Sequence, residues 1–413
     1  MTTHLSAKQA AAELGISLPT LYAYVSRGLI RSEAGEGPSR ARRYRAEDVA
    51  ALKTRKEMRR RPEVAAETAV KTAVQTALHW GAPVLESAIT LIDNGHLTYR
   101  GYDTLTLPDA HTFADVANLI WRQELTTGAQ FTADINSQWA PIAPLWPHIR
   151  QLALMERLQT VLPLAMGHDL AAYDWQPTTV YQTGQRILLL LATAVTGQPI
   201  SGSISSALQR AWGADPVVTP LLESALIYCA DHELNVSAFA ARVVASARAT
   251  PYAVVMAGLA ALQGTLHGGA TERVDAFLRE VGTPDNARAA ITARLRRGEE
   301  IPGFGHPLYL EGDPRGRALL AKIAAVYPAP PGWQLAQQVV AEMATAVGRH
   351  PNIDFALVTL AWAANLPPGA PLALFALGRT VGWLGHALEQ VEQDQMIRPR
   401  ARYVGPLAMM RDA

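Results

Sequence analysis

IPGFGHPLYLEGDPRG, Ile301 to Gly316, holds four glycines and three prolines around one histidine, His306, and one arginine, Arg315. Proline removes a backbone donor and glycine loosens the chain, so this stretch is not a helix interior. It reads as a rigid, irregular loop presenting an imidazole and a guanidinium. A second histidine has similar flanks, His267 in QGTLHGGATE, and a third, His232, lies in ADHELNVSAF. Glycine fills a core poorly but lets backbone and ligand approach closely. His386, in the apolar helical stretch GWLGHALEQ, reads instead as a packed core residue.

The spacings between His232, His267 and His306 lack the paired ligands of a zinc site, and the single cysteine, Cys229, stands alone, so no metal is expected. No G-x-S-x-G elbow, Walker loop or dinucleotide fingerprint occurs. Asp354, in PNIDFALVTLAWAA, precedes an apolar helix. It is either a helix N-cap or a carboxylate whose apolar surroundings raise its pKa and make it a better base. Arg379 interrupts the apolar FALGRTVGWLGH, and the tail carries Arg398, Arg400 and Arg402. Burying an unpaired guanidinium is costly, so Arg315, Arg379 and one tail arginine together suit a di- or tricarboxylate.

The chain has 413 residues, too many for one core, so two or three domains are expected. Apolar residues make up 49% and charged residues 18%, the profile of a soluble globular protein. One cysteine and a polar N-terminus without a signal core suit the cytoplasm. The longest apolar run, Ile187 to Val195, is shorter than the ~20 residues of a membrane span. Net charge is +1, but Arg27 to Arg61 holds twelve basic residues against five acidic, leaving +7 there and −6 elsewhere. That asymmetry predicts a basic module on a neutral or acidic body.

The N-terminal segment predicts two short helices. Ser6 caps Ala7 to Leu14, Gly15 ends it, Ser17 caps the next with Pro19 in its first turn, and Gly28 closes it. RSEAGEGPSRARRYR follows as a wing-like loop. The block resembles the MerR-type winged helix-turn-helix, which implies DNA contacts from Thr20, Tyr22, Arg27, Arg42 and Arg43, DNA being a candidate partner. The expected divisions are 1–61 for this module and 62–80 for an Ala-rich helical linker. Beyond it, helical patterns dominate: Thr112 caps an amphipathic helix, GQRILLLLATAVTG is a buried one, and Asn94-Gly95 turns a hairpin between Thr90–Ile92 and Leu97–Tyr99.

From about Gly81 to the C-terminus the motifs ITLIDNGHLTYRGYD, TLHGGATE, GFGH with DPR, NIDF, GRTVGW and RPR, in that order, resemble the citrate synthase family. The resemblance implies a mainly α fold, with a large domain at 81–267 and 366–413 and a small one at 268–365 closing over a cleft. It implies condensation of acetyl- or propionyl-CoA with oxaloacetate and thioester hydrolysis, without a cofactor. Asp354 would take the α-proton, His267 would hydrogen-bond the thioester oxygen, and His306 would protonate the keto oxygen. His232, Arg315, Arg379 and Arg398 would hold oxaloacetate, Arg398 coming from the other subunit of a homodimer. One departure concerns CoA: where many members carry basic residues after the loop histidine, this chain has Pro307, Leu310 and Glu311. Arg296 and Arg297 are candidate substitutes for phosphate binding, with Gly303 and Gly305 beside the ligand. A second expectation stays open, a transcription regulator using the same body as a metabolite sensor.

Overall fold

The computed structural model describes residues 4–27, 29–34, 42–50, 52–53, 85–309 and 311–405. The chain divides into two compact units, Met1–Glu86 and Ser87–Ala413. The expected linker, Gly28 and Leu310 lie outside the described residues.

In the first unit, strand β1 (His4–Ser6) leads into helix α1 (Ala7–Leu14). Ser6 and Gln9 form a reciprocal capping box, and Gly15 closes the helix at φ 58°. Helix α2 (Leu18–Ser26) starts on Ser17, whose Oγ accepts the Thr20 amide, with Pro19 in its first turn. Strands β2 (Ser32–Ala34) and β3 (Arg42–Arg45) then form an antiparallel sheet in the order β1-β3-β2. Ala10, Leu14, Leu21, Ile30, Tyr44 and Val49 fill the small core. The arrangement is a helix-turn-helix with a two-stranded wing, plus a third strand that the sequence reading did not foresee.

The second unit is mainly helical, with one small sheet. Strands β4 (Thr90–Asp93) and β5 (His96–Tyr99) pair across Asn94-Gly95, at φ 48° and 79°. A second tight turn at Arg100-Gly101, φ 46° and 89°, adds β6 (Tyr102–Asp103). Both turns put two successive residues at positive φ, which suits the twist of a hairpin. Tyr99 is fully buried; its Oη lies 3.1 Å from Ile227 O and 3.0 Å from Asp231 O and accepts the Asp231 amide at 3.2 Å. The hairpin therefore clamps the chain leaving helix α3 (Thr219–Cys229), the segment that carries His232.

The central element is helix α4 (Ala370–Glu392), buried from Leu372 through Ala387. It packs against α3, helix α5 (Val236–Ser246) and helix α6 (Pro251–Leu262). Glycines allow that approach. A Cβ on Gly378 would lie 2.6 Å from Leu226 O, and one on Gly382 2.5 Å from Ala230 O. The Gly382 amide instead donates to Ala230 O at 2.9 Å. This contact seats Arg379, one residue past Gly378, beside the end of α3. Gly378→Ala is expected to lower unfolding free energy by about 3 kcal/mol, through overpacking against backbone that cannot yield. Urea denaturation of the variant and the parent checks it.

Candidate active site

Three loops and two helix starts supply the chemistry. His232 follows α3 and is 7% exposed. His267 lies in the turn after α6, where Gly264 O accepts the His267 and Gly269 amides, ahead of helix α7 (Ala270–Val281). His306 lies on the Gly/Pro loop. Gly303 and Gly305 there take φ 83° and 81° and tie the loop to 350–352: Gly305 N–H donates to His350 O at 2.8 Å, and Asn352 N–H to Gly303 O at 2.9 Å. Helix α8 (Pro314–Val326) begins on Asp313 and carries Arg315, and helix α9 (Ile353–Ala363) carries Asp354 in its first turn.

Asp313 binds these parts together. Its carboxylate accepts Arg315 Nε at 3.0 Å, Arg315 Nη2 at 2.8 Å, the Arg315 amide at 3.0 Å and the Ile353 amide at 3.1 Å. Both side chains are buried. Burial alone would raise the Asp313 carboxyl, but Arg315 and its donated hydrogen bonds hold it below the usual range. The sequence reading gave Arg315 no resident anion. With Nε–H and one Nη2–H so occupied, a grip on any further carboxylate falls to Nη1 and the remaining Nη2–H.

Asp354 is not the helix cap; Asn352 is, accepting the Phe355 amide at 3.2 Å. Asp354 is partly open, yet its Oδ1 is sealed from solvent and has no hydrogen-bond partner among the described residues. Loss of hydration pushes its carboxyl up to about 6, against the opposing pull of Arg315 and Arg379.

The three imidazoles move the other way. Burial lowers His267 and His306 to about 4 each, helped by Arg379 and Arg315 respectively. His232 falls well below its ordinary value, from burial first and then from Arg315, His306, Arg379 and His267. All three are neutral at pH 7. Their tautomers are constrained by neighbours. Leu308 N–H donates to His306 Nδ1 at 3.2 Å, so the His306 proton resides on Nε2. Ser237 Oγ lies 2.8 Å from His267 Nε2 and accepts Trp383 Nε1–H at 3.0 Å. Asn235 Oδ1 accepts that hydroxyl at 2.7 Å together with the Ser237 and Ala238 amides.

These groups form one cluster. The rings of His232 and His306 are 5.1 Å apart, and Tyr309 sits 5.0 Å from His306 with its Oη 2.8 Å from His232 Nε2. Phe375 bridges His267, 6.1 Å away, and Arg379, whose guanidinium lies 4.9 Å over the same ring. Arg379 is 1% exposed and donates Nε–H to Cys229 O at 2.8 Å. Among the described residues it has no carboxylate within ion-pair distance.

Other predicted residues lie elsewhere. Arg398 is exposed in the tail, where the neighbouring Ile397 amide donates to Ser246 Oγ. Arg297 is exposed and paired with Glu299, and Arg296 lies on an open surface hollow with Asp285 and Arg288. In the first unit Tyr22 is 52% exposed, and Arg27, Arg42 and Arg43 are exposed; Thr20 is partly buried, its hydroxyl against Ser17. His386 is fully buried, as expected of a core residue, but its Nε2 lies 3.2 Å from Asp231 Oδ1. Ser237, Asn235, Tyr309 and Asp313 were not singled out in the sequence. Among the described residues no His/Cys/Asp/Glu group could hold a metal, and no helix is long and apolar enough to cross a membrane.

A helical body that brings a raised carboxyl, neutral imidazoles and two buried arginines within electrostatic reach of one another holds groups suited to acid–base chemistry on an anionic substrate. The comparisons specify which. The model of the citrate synthase C-terminal domain matches residues 77–400, and a helix-turn-helix model matches 5–57. The chain is 30% identical to citrate synthase 2 of Bacillus subtilis over 353 residues, 79% of this chain and 95% of that one. It is 31% identical to 2-methylcitrate synthase of Mycobacterium tuberculosis over 334 residues, 75% and 84% of the two. The crystal structure of citrate synthase from Thermotoga maritima shares 26% identity with a TM-score of 0.65, covering 80% of this chain and 96% of that one. The ternary complex of Thermoplasma acidophilum citrate synthase with carboxymethyl coenzyme A and oxaloacetate shares 25% identity with a TM-score of 0.67, at the same coverage. The chain belongs to the citrate synthase family and carries an N-terminal helix-turn-helix domain. It is an acyltransferase of citrate synthase type, for which CoA thioester is substrate and no cofactor is needed.

If Asp354 is the base, kcat/KM falls about tenfold per pH unit below pH 6, while the imidazoles stay neutral to about pH 4. Asp354→Asn removes that limb and lowers kcat ~10²-fold or more. The sign for stability is opposite. A carboxyl raised by folding favours the folded state below its unfolded value of 3.8, and that benefit is lost as pH rises through about 6. The Asn variant is therefore more stable than the parent at pH 8, by up to about 3 kcal/mol, and the gap shrinks toward pH 5. Rate profiles and urea melts across pH 5–8 check both.

Proposed function

We propose that the protein condenses an acyl-CoA with oxaloacetate and hydrolyses the resulting thioester, releasing citrate or 2-methylcitrate and CoA. The observation that carries this reading is the raised carboxyl of Asp354 sharing the field of Arg315 and Arg379 with three neutral imidazoles. An α-proton of a thioester is weakly acidic, so a base and an oxyanion donor must act together. Asp354 takes that proton. His267 offers a ring N–H to the thioester oxygen as negative charge develops there. His306 offers Nε2–H to the keto oxygen of oxaloacetate and gives up the proton as the carbon–carbon bond forms. His232, Arg315 through its free N–H groups, and Arg379 bind the two carboxylates. Arg398, exposed in this chain, completes the grip from a second copy in a homodimer. Residues 268–365 act as a small domain that closes over the cleft and excludes water, which strengthens each of these interactions. In this reading the CoA phosphates lie near Gly303 and Gly305, with Arg296 and Arg297 as their candidate partners.

The substrate test is thiol release with oxaloacetate and either acetyl-CoA or propionyl-CoA. Release with at least one is expected, and the ratio of kcat/KM values names the acyl group; release with neither overturns the reading. Arg296→Ala/Arg297→Ala is expected to raise the acyl-CoA KM about tenfold while leaving the oxaloacetate KM unchanged, and an unaltered acyl-CoA KM removes both residues from the phosphate site.

A second reading, regulation of transcription with the body as a metabolite sensor, is favoured by one observation. The first unit keeps Arg27, Arg42 and Arg43 exposed, whereas Arg31 and Arg45 are neutralised by Asp48 and Glu33. Arginines on a helix end and a wing strand that have no acidic partner among the described residues fit phosphate contacts. Retarded migration of the DNA upstream of the protein's own gene is expected. Arg42→Ala/Arg43→Ala should weaken it and reduce the slope of log affinity against log salt by roughly 2. Equal binding by parent and variant counts against this surface.

A further inference from the structure

Tyr309 stands three residues beyond His306, in the loop where Tyr309 N–H donates to His306 O and Tyr309 O accepts the Gly312 amide. Those two bonds fix its backbone between the catalytic histidine and the cap of α8. The side chain turns inward and is 3% exposed. Its ring meets His306 at 5.0 Å and His232 at 5.6 Å, and its hydroxyl lies 2.8 Å from His232 Nε2. Among the described residues that imidazole is the hydroxyl's hydrogen-bond partner. A phenol spent only on filling space would be wasteful here, since phenylalanine would pack the same volume without a polar atom to satisfy.

We propose that Tyr309 is a positioning residue for oxaloacetate, setting through its hydroxyl which nitrogen of His232 carries the proton. A neutral imidazole has one N–H and one bare nitrogen. When Tyr309 O–H donates to Nε2, the His232 proton is confined to Nδ1, and His232 becomes a fixed donor for a carboxylate or keto oxygen. Without the hydroxyl the imidazole exchanges between two tautomers, and the one that presents a bare nitrogen repels an anionic oxygen. Tyr309 also faces Arg315, so the same phenol borders the guanidinium that grips the acid. This inference rests on the proposed role of His232, but it concerns recognition of the keto acid and not the condensation step.

Tyr309→Phe keeps the ring and deletes the hydroxyl. Calorimetric titration with oxaloacetate, which needs no turnover, is expected to show affinity about tenfold weaker than the parent's. In thiol release the oxaloacetate KM should rise by a similar factor, while the acyl-CoA KM stays within twofold. In a His232→Ala background the same change should have little further effect, because the two residues act through one bond. Oxaloacetate affinity within twofold of the parent overturns the proposal, as does an undiminished effect of Tyr309→Phe when His232 is already alanine. A parent that binds oxaloacetate without releasing thiol overturns the synthase reading and leaves the Tyr309 proposal to be decided by the titrations. Binding by neither parent nor variant overturns both.

Discussion

The buried Asp313 carboxylate is the point on which the site depends. It caps α8, neutralises Arg315 from two guanidinium nitrogens, and accepts the amide of Ile353, the residue before Asp354. One side chain thus fixes the loop of His306, the direction of Arg315 and the start of the helix carrying the base. A carboxylate with this many donors can stay ionised without solvent, because each donor replaces a lost water. Remove it and Arg315 becomes an uncompensated buried charge, a change costing far more than the lost hydrogen bonds themselves. The glycines and prolines of the loop make this convergence possible by letting backbone run close to 350–352, where a side chain at Gly312 would strike His350.

Burial shifts the cluster's acids and bases in opposite directions to a single end. The charged form is disfavoured in each case, so the carboxyl of Asp354 rises and the imidazoles fall. A carboxylate with raised pKa is a stronger base, and a neutral imidazole is a hydrogen-bond donor that adds no positive charge beside two arginines. The same desolvation makes the folded state pay at neutral pH for an ionised Asp354 whose Oδ1 has no donor.

Much of this was legible in the sequence, for identifiable reasons. Ser6, Ser17 and Thr112 cap helices where their local pattern requires, and Asn94-Gly95 turns the hairpin, because those signals act over three or four residues. The histidines of the glycine-rich loops stood out because glycine beside histidine is uneconomical packing. Arg100-Gly101 escaped notice, since arginine is not a usual turn former, although Gly101 was a clue. Strand β1 has three residues, too few for a period. Asp313 and Ser237 could not have been assigned from spacing, because their partners Ile353 and His267 lie 40 and 30 positions away. Asp354 illustrates the limit: a cap and a buried base give the same local pattern, and only the Asn352 side chain on the Phe355 amide separates them.

Arg379 and Asp231 show how the core itself is made ready for an anion. Asp231 is fully buried, and the carboxyl is held low against burial by His386, Arg379 and the 2.5 Å hydrogen bond from Thr90. His386 is therefore more than filler; it shares the charge of the residue that precedes His232. Arg379, by contrast, has no carboxylate within ion-pair distance among the described residues; a backbone carbonyl, the face of Phe375 and the more distant charge of Asp231 offset its charge in part, and burial pulls its pKa down. A guanidinium so placed is poorly compensated by the protein alone. A substrate carboxylate that reaches it relieves a cost already incurred in folding, so binding gains more than the same contact would yield on an exposed arginine. The cation is held in place by Gly378 and Gly382, which let α4 lie against α3. Helix packing of the most ordinary kind thereby sets where a buried, under-compensated cation lies.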